Sequence, residues 1–314
     1  MRKRKLFGRD ILYRFEGNPI LSIDDVDFRC LDIRNAGAVS RDGEPLLLVT
    51  VQELAGVQTI HLARRAEHDY FELEKEPFLK PAPEGSREHV HESNGVMDAR
   101  VTLLDDTYYI MYLAYGEYGY RLGLATTKDF VVVERHGLIA APDTKAGALF
   151  PARIGGKYAR LERPRDGYSI WISFSEDLVY WGDSEIVLSP RGGFWDADRI
   201  GAGPPPIKID EGWLLIYYGA KNAGAGSLYR LGAAILAEDD PTRVVGRANI
   251  PLIAPREYYE RIGDVNNLVF STGALIDEEG EIRIYYGAAN SCICKGTVSV
   301  EAIVAVCLES EKEF

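Results

Sequence analysis

The chain has 314 residues, of which 46% are hydrophobic and 27% charged, the balance of an ordinary globular protein. Its formal net charge of −12 at pH 7 argues against nucleic acid or an anionic membrane surface as a partner. No apolar stretch is long enough to span a bilayer, and the basic residues 1–5 precede no signal-peptide core. These features predict a cytoplasmic protein.

The secondary-structure pattern along the chain is one of strands and turns. Short runs rich in Val, Ile, Leu and Tyr alternate with clusters of Gly, Pro, Asp and Asn, and long runs with helical spacing are absent from the sequence. One unit, a strand run followed by further strands, recurs five times. Its first runs lie at residues 45–51, 108–112, 168–173, 213–220 and 282–289.

Five such units predict an all-β fold, a five-bladed β-propeller that forms a single domain over residues 1–314. The last unit is expected to continue as a strand through Val300. A β-sandwich or jelly roll is the alternative, although five similar units fit it less well.

The segment from Asn94 to Thr102 places an acid and a base two residues apart, at Asp98 and Arg100. In an extended segment both side chains point to the same face, and Gly95 allows the backbone to turn just before them. A carboxylate beside an arginine is either a proton donor or half of a structural ion pair. Ion pairs are the commoner of the two, so this segment alone leaves both alternatives open.

Polar residues at the strand starts are candidates for a ligand site, because propeller loops deliver side chains to the mouth of a central channel. Several of these residues are basic, and basic groups that converge in an acidic protein suit an anionic ligand. The four cysteines have no zinc-ligand spacing and are expected to be reduced and packed, with no metal bound.

Several motifs, taken in order, resemble those of glycoside hydrolase family 130 along nearly the whole chain. They are Asn35-Ala-Gly37-Ala38, Gly95-Val-Met-Asp98-Ala-Arg100, Leu149-Phe150-Pro151, Arg163-Pro164, Gly201-Ala-Gly203-Pro-Pro, Tyr229-Arg-Leu-Gly-Ala-Ala234 and Tyr285-Tyr-Gly-Ala-Ala289. The family consists of β-mannoside phosphorylases and some β-mannosidases on a five-bladed propeller.

The resemblance implies an inverting β-mannoside phosphorylase that cleaves a β-mannosyl linkage with inorganic phosphate and gives α-mannose 1-phosphate. Asp98 stands at the position of the family's proton donor. The implied partners are a β-mannoside oligosaccharide and phosphate as co-substrate, without another cofactor, and the family allows a homo-oligomer. The implied substrate-binding residues are Asn35, Arg100, Tyr218, Asp264 and Asn290, and the implied phosphate-binding residues are Arg64, Lys145, Arg163 and Arg199.

The sequence departs from the family pattern in ways that keep alternatives open. Ala99 replaces a proline, Tyr218 a histidine that contributes to phosphate binding, and Asn290 an aspartate. An inverting β-mannosidase is one alternative, and it would need a general base from Glu162, Asp198 or Asp264. A non-catalytic sugar-binding propeller is another. Aromatic residues that could stack on sugar rings are Tyr115, Tyr118, Tyr120, Trp195 and Tyr229.

Overall fold

A computed structural model of the protein describes residues 10–224 and 226–309 and has an all-β architecture. The helices of this part of the chain are short: α1 (His89–Glu92), α2 (Tyr258–Arg261) and α3 (Val300–Glu309). None of them is long and apolar enough to cross a membrane. The expected strand at Val300 is wrong, because the last strand ends at Ser299 and α3 then buries Ile303 and Cys307 in the core.

The strands form five antiparallel meanders, numbered here in chain order, which are preceded by two short strands, β1 (Tyr13–Arg14) and β2 (Leu21–Ser22). Meander 1 contains β3 (Asp32–Arg41), β4 (Glu44–Gln52), β5 (Gln58–Arg65) and β6 (Phe71–Leu73). Meander 2 contains β7 (Gly95–Leu104), β8 (Thr107–Gly116), β9 (Gly119–Thr127) and β10 (Glu134–Leu138). Meander 3 contains β11 (Thr144–Leu149), β12 (Tyr158–Pro164), β13 (Ile170–Ser175) and β14 (Gly182–Leu188).

Meander 4 contains β15 (Arg199–Ala202), β16 (Ile207–Ile209), β17 (Gly212–Ala223), β18 (Gly226–Leu236) and β19 (Val244–Arg247). Both β15 and β16 pair with β17, so its first strand is interrupted at Pro204-Pro205-Pro206. Meander 5 contains β20 (Val269–Ile276), β21 (Glu281–Ala288) and β22 (Cys292–Ser299). Its sheet is completed by β1 and β2, which both pair with β22.

Meanders 1 and 2 are joined into one eight-stranded sheet by a single parallel residue pair, Gln58 with Gly95. Gly95 has a φ of +134°, and a Cβ at this position would lie 2.5 Å from the backbone nitrogen of Gln58. Only glycine accommodates both the backbone conformation and this close approach. The glycine therefore fixes where β7 starts, three residues before Asp98.

Each meander shares an apolar core with the next along the chain, and meander 5 shares one with meander 1. This pattern follows from strands that are apolar on both faces, as in β4 and β17, where burial is nearly continuous. The shared cores contain Leu48 and Val101 for meanders 1 and 2, Leu124 and Leu149 for 2 and 3, Leu161 and Leu215 for 3 and 4, Ile216 and Ile284 for 4 and 5, and Tyr285 and Leu47 for 5 and 1.

Three of the meanders contain the same buried polar triad of a carboxylate, a tyrosine and an arginine. The carboxylate precedes the first strand of the meander, the tyrosine lies on the second strand and the arginine on the outermost strand. The triads are Glu92 with Tyr112 and Arg135, Asp196 with Tyr217 and Arg247, and Glu260 with Tyr286 and Arg14. Burial raises the pKa of all three tyrosines, so each acts as a neutral hydrogen-bond donor.

Candidate functional site

The first strands of four meanders are irregular near their N-terminal ends. β3, β7, β11 and β20 each contain a register shift, and Asn35, Asp98 and Ala146 have φ values of 46°, 56° and 55° at or beside three of them. A bulge turns a side chain out of the regular alternation of a strand. These bulges help bring residues from separate sheets to one cavity of about 690 Å³.

Eight of the ten predicted site residues line this reaction cavity. They are Asn35, Asp98, Arg100, Lys145, Arg163, Arg199, Tyr218 and Asn290. Asp264 lies beside it, with its Oδ2 3.5 Å from Nη1 of Arg34, which does line the cavity.

Arg64 is not brought to the reaction cavity, and its assignment to the phosphate-binding set is corrected. Strand β5 starts at Gln58 beside the cavity and runs away from it, so that Arg64 lies roughly 20 Å further along the strand. There its exposed guanidinium pairs with Glu74, with 2.7 Å between Nε and Oε1.

Asp98 is held by hydrogen bonds that leave one of its carboxylate oxygens unused. Asn35 donates from Nδ2 to Oδ1 of Asp98 at 2.7 Å, and the backbone nitrogen of Asp98 donates to the hydroxyl of Thr50 at 3.0 Å. Oδ2 makes no hydrogen bond or ion pair with the described residues. The carboxyl group is therefore fixed in direction while one oxygen stays available to a ligand.

Arg100 supports the backbone around Asp98 and does not pair with its carboxylate, so the ion-pair alternative does not apply. Its buried guanidinium donates to the carbonyl oxygens of Gly203 (2.7 Å), Ala202 (3.0 Å) and Asp98 itself (3.0 Å). Burial lowers the pKa of Arg100. The side chain thus ties β7 to β15 and fixes the bulge that carries Asp98.

A group of cationic side chains lies in the same cavity with few partners. Lys145 and Arg163 occupy paired positions on β11 and β12. Arg163 and Arg199 form no ion pair with the described residues, and the buried Nε of each lacks a hydrogen-bond partner, as does Nε of Arg34. Burial, together with Arg163, lowers the pKa of Lys145 to about 8. Such a set can bind a multiply charged anion.

Sequence reasoning missed several residues of the reaction cavity, among them Arg34, Gln58 and Arg165. Arg34 precedes Asn35, and a regular strand would point the two side chains to opposite faces. The register shift between Arg34 and Ala36 brings both to the cavity. The only signal of this register shift in the sequence is Asn35 itself, because asparagine tolerates a positive φ better than most residues.

The candidate stacking residues divide into cavity and core positions. Tyr115 and Tyr120 stack on each other with 4.4 Å between ring centroids and line the cavity, as does Tyr229. Tyr118 is exposed and lies outside the lining, and Trp195 is buried against Tyr217. The candidate stacking residues that line the cavity therefore all come from meanders 2 and 4.

Comparison with known proteins places this geometry in a family. A family model described as beta-1,4-mannooligosaccharide phosphorylase, of glycoside hydrolase family 130, matches residues 50–309. The chain belongs to glycoside hydrolase family 130. It is 32% identical to a beta-1,2-mannobiose phosphorylase of Listeria innocua, over 93% of this chain and 97% of the relative.

One further relative and one solved structure are also similar to this chain over most of their length. A beta-1,4-mannooligosaccharide phosphorylase of Ruminococcus albus is 31% identical, over 94% of this chain and 90% of its own. The solved structure of the Listeria innocua beta-1,2-mannobiose phosphorylase with beta-1,2-mannobiose has a TM-score of 0.86 at 31% identity. It covers 95% of this chain and 99% of that one.

Two of the three departures from the family 130 pattern, Tyr218 and Asn290, line the reaction cavity. The buried ring of Tyr218 lies 5.1 Å from that of Phe270 and 6.3 Å from that of Tyr229, between centroids. Its hydroxyl can donate a hydrogen bond but cannot carry the positive charge of a histidine. Asn290 has a φ of 58° and also lines the cavity.

None of the three candidate general bases lines the cavity of this family 130 protein. Glu162 is bonded to Arg160 at 2.7 Å and to the hydroxyl of Ser173. Asp198 accepts a hydrogen bond from the backbone nitrogen of Asn222. Asp264 lies beside Arg34, as described above. None of these three residues therefore places a carboxylate in the cavity where it could activate water.

Proposed function

We propose that the protein is an inverting β-mannoside phosphorylase. The observation that carries this proposal is the juxtaposition of the Asp98 carboxyl group with a cationic set that has few partners, Lys145, Arg163 and Arg199, in one cavity. Phosphate is an anion that matches this set, and it is a nucleophile that needs no activating base. The two family 130 relatives described above carry phosphorylase names, which supports the same reaction.

The proposed reaction exchanges one bond at the anomeric carbon of the terminal mannosyl unit. Asp98, protonated, gives its proton to the bridging oxygen, directly or through a sugar hydroxyl, and the bond between C1 and that oxygen breaks. A phosphate oxygen held by Lys145, Arg163 and Arg199 forms a new bond to C1 from the opposite face. The β-configuration becomes α, and the product is α-mannose 1-phosphate. Asp98 then regains a proton from solvent.

Residues around Asp98 have supporting roles in this proposal. Asn35 orients the carboxyl group through its 2.7 Å hydrogen bond, and Arg100 fixes the backbone beneath it. Tyr218 and Asn290 offer neutral hydrogen-bonding groups to the sugar or to phosphate, and Asp264 acts through Arg34. The reaction as written consumes only saccharide and phosphate, so it requires no other cofactor.

We also propose that the five meanders are the blades of one propeller domain. Each meander shares a core with the next, and meander 5 shares one with meander 1, which is the arrangement expected of a ring. The first strands, which carry the site bulges, would then line the central channel.

The function is tested by incubating the protein with β-1,2- and β-1,4-linked mannobiose, with and without inorganic phosphate. We expect mannose 1-phosphate to form only when phosphate is present. Free mannose released at the same rate without phosphate would establish hydrolysis instead. Binding of saccharide without any turnover would favour the non-catalytic propeller.

Arg163→Met is expected to weaken phosphate binding and to raise KM for phosphate by about 10- to 100-fold, since a hydrogen bond to a charged group contributes about 1.5–3 kcal/mol. Steady-state kinetics at varied phosphate and saturating saccharide measures this change. Arg64→Met is the matched control, because Arg64 pairs with Glu74 outside the cavity. Equal effects of the two substitutions would contradict the assignment.

Phosphate binding is expected to weaken above about pH 8, where Lys145 loses its proton in the free enzyme. The lysine is charged below this pH and neutral above it, so KM for phosphate should rise about five- to tenfold between pH 7.5 and 9.5. Bound phosphate stabilises the cation, and kcat should change less than KM. An arginine keeps its charge over this pH range, so KM for phosphate of the Lys145→Arg variant should not rise. A variant profile identical to that of the wild type would assign the effect to another group.

A further inference from the structure

A second cavity of about 720 Å³ adjoins the reaction cavity at meander 3. The two cavities share Asp143 and Arg165 as lining residues, and Nη1 of Arg165 lies 3.8 Å from Oδ2 of Asp143. The second cavity, called the side groove here, continues from these two residues over β12, β13 and β14 towards Trp181. A ligand that extends out of the reaction cavity past this pair would enter the side groove.

The arginines inside the side groove already have hydrogen-bond acceptors or ion-pair partners of their own. Arg160 and Glu162 are both buried and pair at 2.7 Å, and Ser173 donates its hydroxyl proton to Glu162 at 2.5 Å. Arg121 donates to the carbonyl oxygen of Ala140 from both Nε and Nη2. Arg121 forms no ion pair with the described residues, but two of its nitrogens already have a carbonyl acceptor, so the groove favours an anion less than the reaction cavity does.

The remaining groups of the side groove suit a neutral ligand with many hydroxyl groups. Nε of Arg160 is buried without a partner, and Ser184 presents a hydroxyl bonded to that of Ser173 at 2.9 Å. Trp181 stacks one face on the Arg160 guanidinium at 4.2 Å, and Tyr180 is 81% exposed at the end of the groove. Fixed polar groups beside aromatic surfaces, in a volume of this size, are typical of a small-molecule site.

We propose that the side groove is a subsite for the leaving saccharide, which holds sugar units that extend beyond the reaction cavity. The inference rests on the proposed function, in which the terminal mannosyl unit lies at Asp98 and the rest of the chain has to leave the cavity. It makes the enzyme selective for substrates longer than a disaccharide. The names of the two relatives, a mannobiose and a mannooligosaccharide phosphorylase, differ in this same property.

The test uses two substitutions at exposed positions of the groove, Tyr180→Ala and Ser184→Trp. The first removes an aromatic surface and the second fills the groove, and neither breaks the Arg160–Glu162 pair. Tyr13→Ala is the matched control, since Tyr13 is 76% exposed and lies outside both cavities. Phosphorolysis is measured with β-1,2- and β-1,4-linked mannooligosaccharides of two, three and four units.

We expect the wild type to have a higher kcat/KM for three or four units than for two. Both groove substitutions should lower kcat/KM for the longer substrates at least fivefold, through KM, and leave the disaccharide value within twofold. Equal kcat/KM for all lengths in the wild type, or equal losses for short and long substrates in the variants, would overturn the subsite.

A binding measurement separates failure of the subsite from failure of the proposed reaction. Calorimetric titration of the Asp98→Asn protein with the same saccharides should give tighter binding of the tetrasaccharide than of the disaccharide. Adding Ser184→Trp should abolish that difference. Length-independent binding, with mannose 1-phosphate still formed by the wild type, overturns the side groove alone. Length-dependent binding without mannose 1-phosphate at any length overturns the phosphorylase reaction and keeps the groove as a saccharide site.

Discussion

Asp98→Asn is expected to lower kcat for mannose 1-phosphate formation by about 10²- to 10⁴-fold, the contribution of a positioned general acid. Asparagine is the substitution of choice because Asp98 has a φ of 56°, which asparagine tolerates and alanine does not. Its side-chain oxygen can also keep the hydrogen bond from Asn35. The substitution therefore removes the acidic proton and retains the bulge of β7, so the fall in kcat reports on the proton.

A second substrate distinguishes a role of Asp98 as the general acid from a role in binding or folding. A β-mannoside with a 4-nitrophenol leaving group needs little protonation, so its phosphorolysis should fall much less than that of mannobiose. Asp105→Asn is the control, since Asp105 is exposed at the far end of β7 and pairs weakly with Arg153. An equal loss for both substrates would show that Asp98 acts on binding or folding and not as the acid.

Arg14→Met is expected to reduce the free energy of unfolding by about 3–5 kcal/mol, the usual effect of removing one partner of a buried ion pair. Arg14 lies on β1, and its Nε is 2.7 Å from Oε1 of Glu260, whose side chain is fully buried. Without the arginine, Glu260 keeps hydrogen bonds from the hydroxyl of Tyr286 and from backbone nitrogens, but its charge is no longer compensated. Urea denaturation followed by tryptophan fluorescence measures the change.

An exposed ion pair supplies the comparison for Arg14→Met. Arg243 lies 3.7 Å from Asp239, and both side chains are largely exposed, so Arg243→Met should change the stability by less than about 1 kcal/mol. A urea midpoint for Arg14→Met no lower than that of Arg243→Met would show that β1 is not anchored through Glu260.

The sequence predicted the strand units well, since four of their five Tyr- and Leu-rich runs lie on the strand that follows the first strand of a meander. The run at residues 168–173 lies instead on β13, the third strand of meander 3. Tyr112, Tyr217 and Tyr286 are buried on β8, β17 and β21, where their rings pack in the core and their hydroxyl groups donate to buried carboxylates. The partners themselves lie far away in the sequence, and no local pattern indicates them. The triads were therefore not foreseen.

The sequence predicted the residues of the candidate site that belong to a recognisable motif. It did not predict the residues whose position at the cavity depends on a bulge or on the direction of a strand. Asp98 and Arg163 were predicted from distinctive motifs and both line the cavity, whereas Arg34 was missed because only a bulge brings it there. Arg64 was misplaced because the direction of β5, away from the cavity, depends on the sheet as a whole. The assignment of Arg100 to the substrate stays a prediction, although its hydrogen bonds are made to backbone carbonyls.

The pairing of β1 and β2 with β22 has a consequence for synthesis on the ribosome. Asn18 both donates to and accepts from the backbone of Lys295, 277 residues later, so neither strand finds its partner until nearly the whole described chain has been made. At about 5–20 residues per second this delay is roughly 15 to 60 seconds. During that interval the apolar faces of the first and last meanders lack their shared core. Chaperone binding to nascent chains should therefore persist until β22 has emerged.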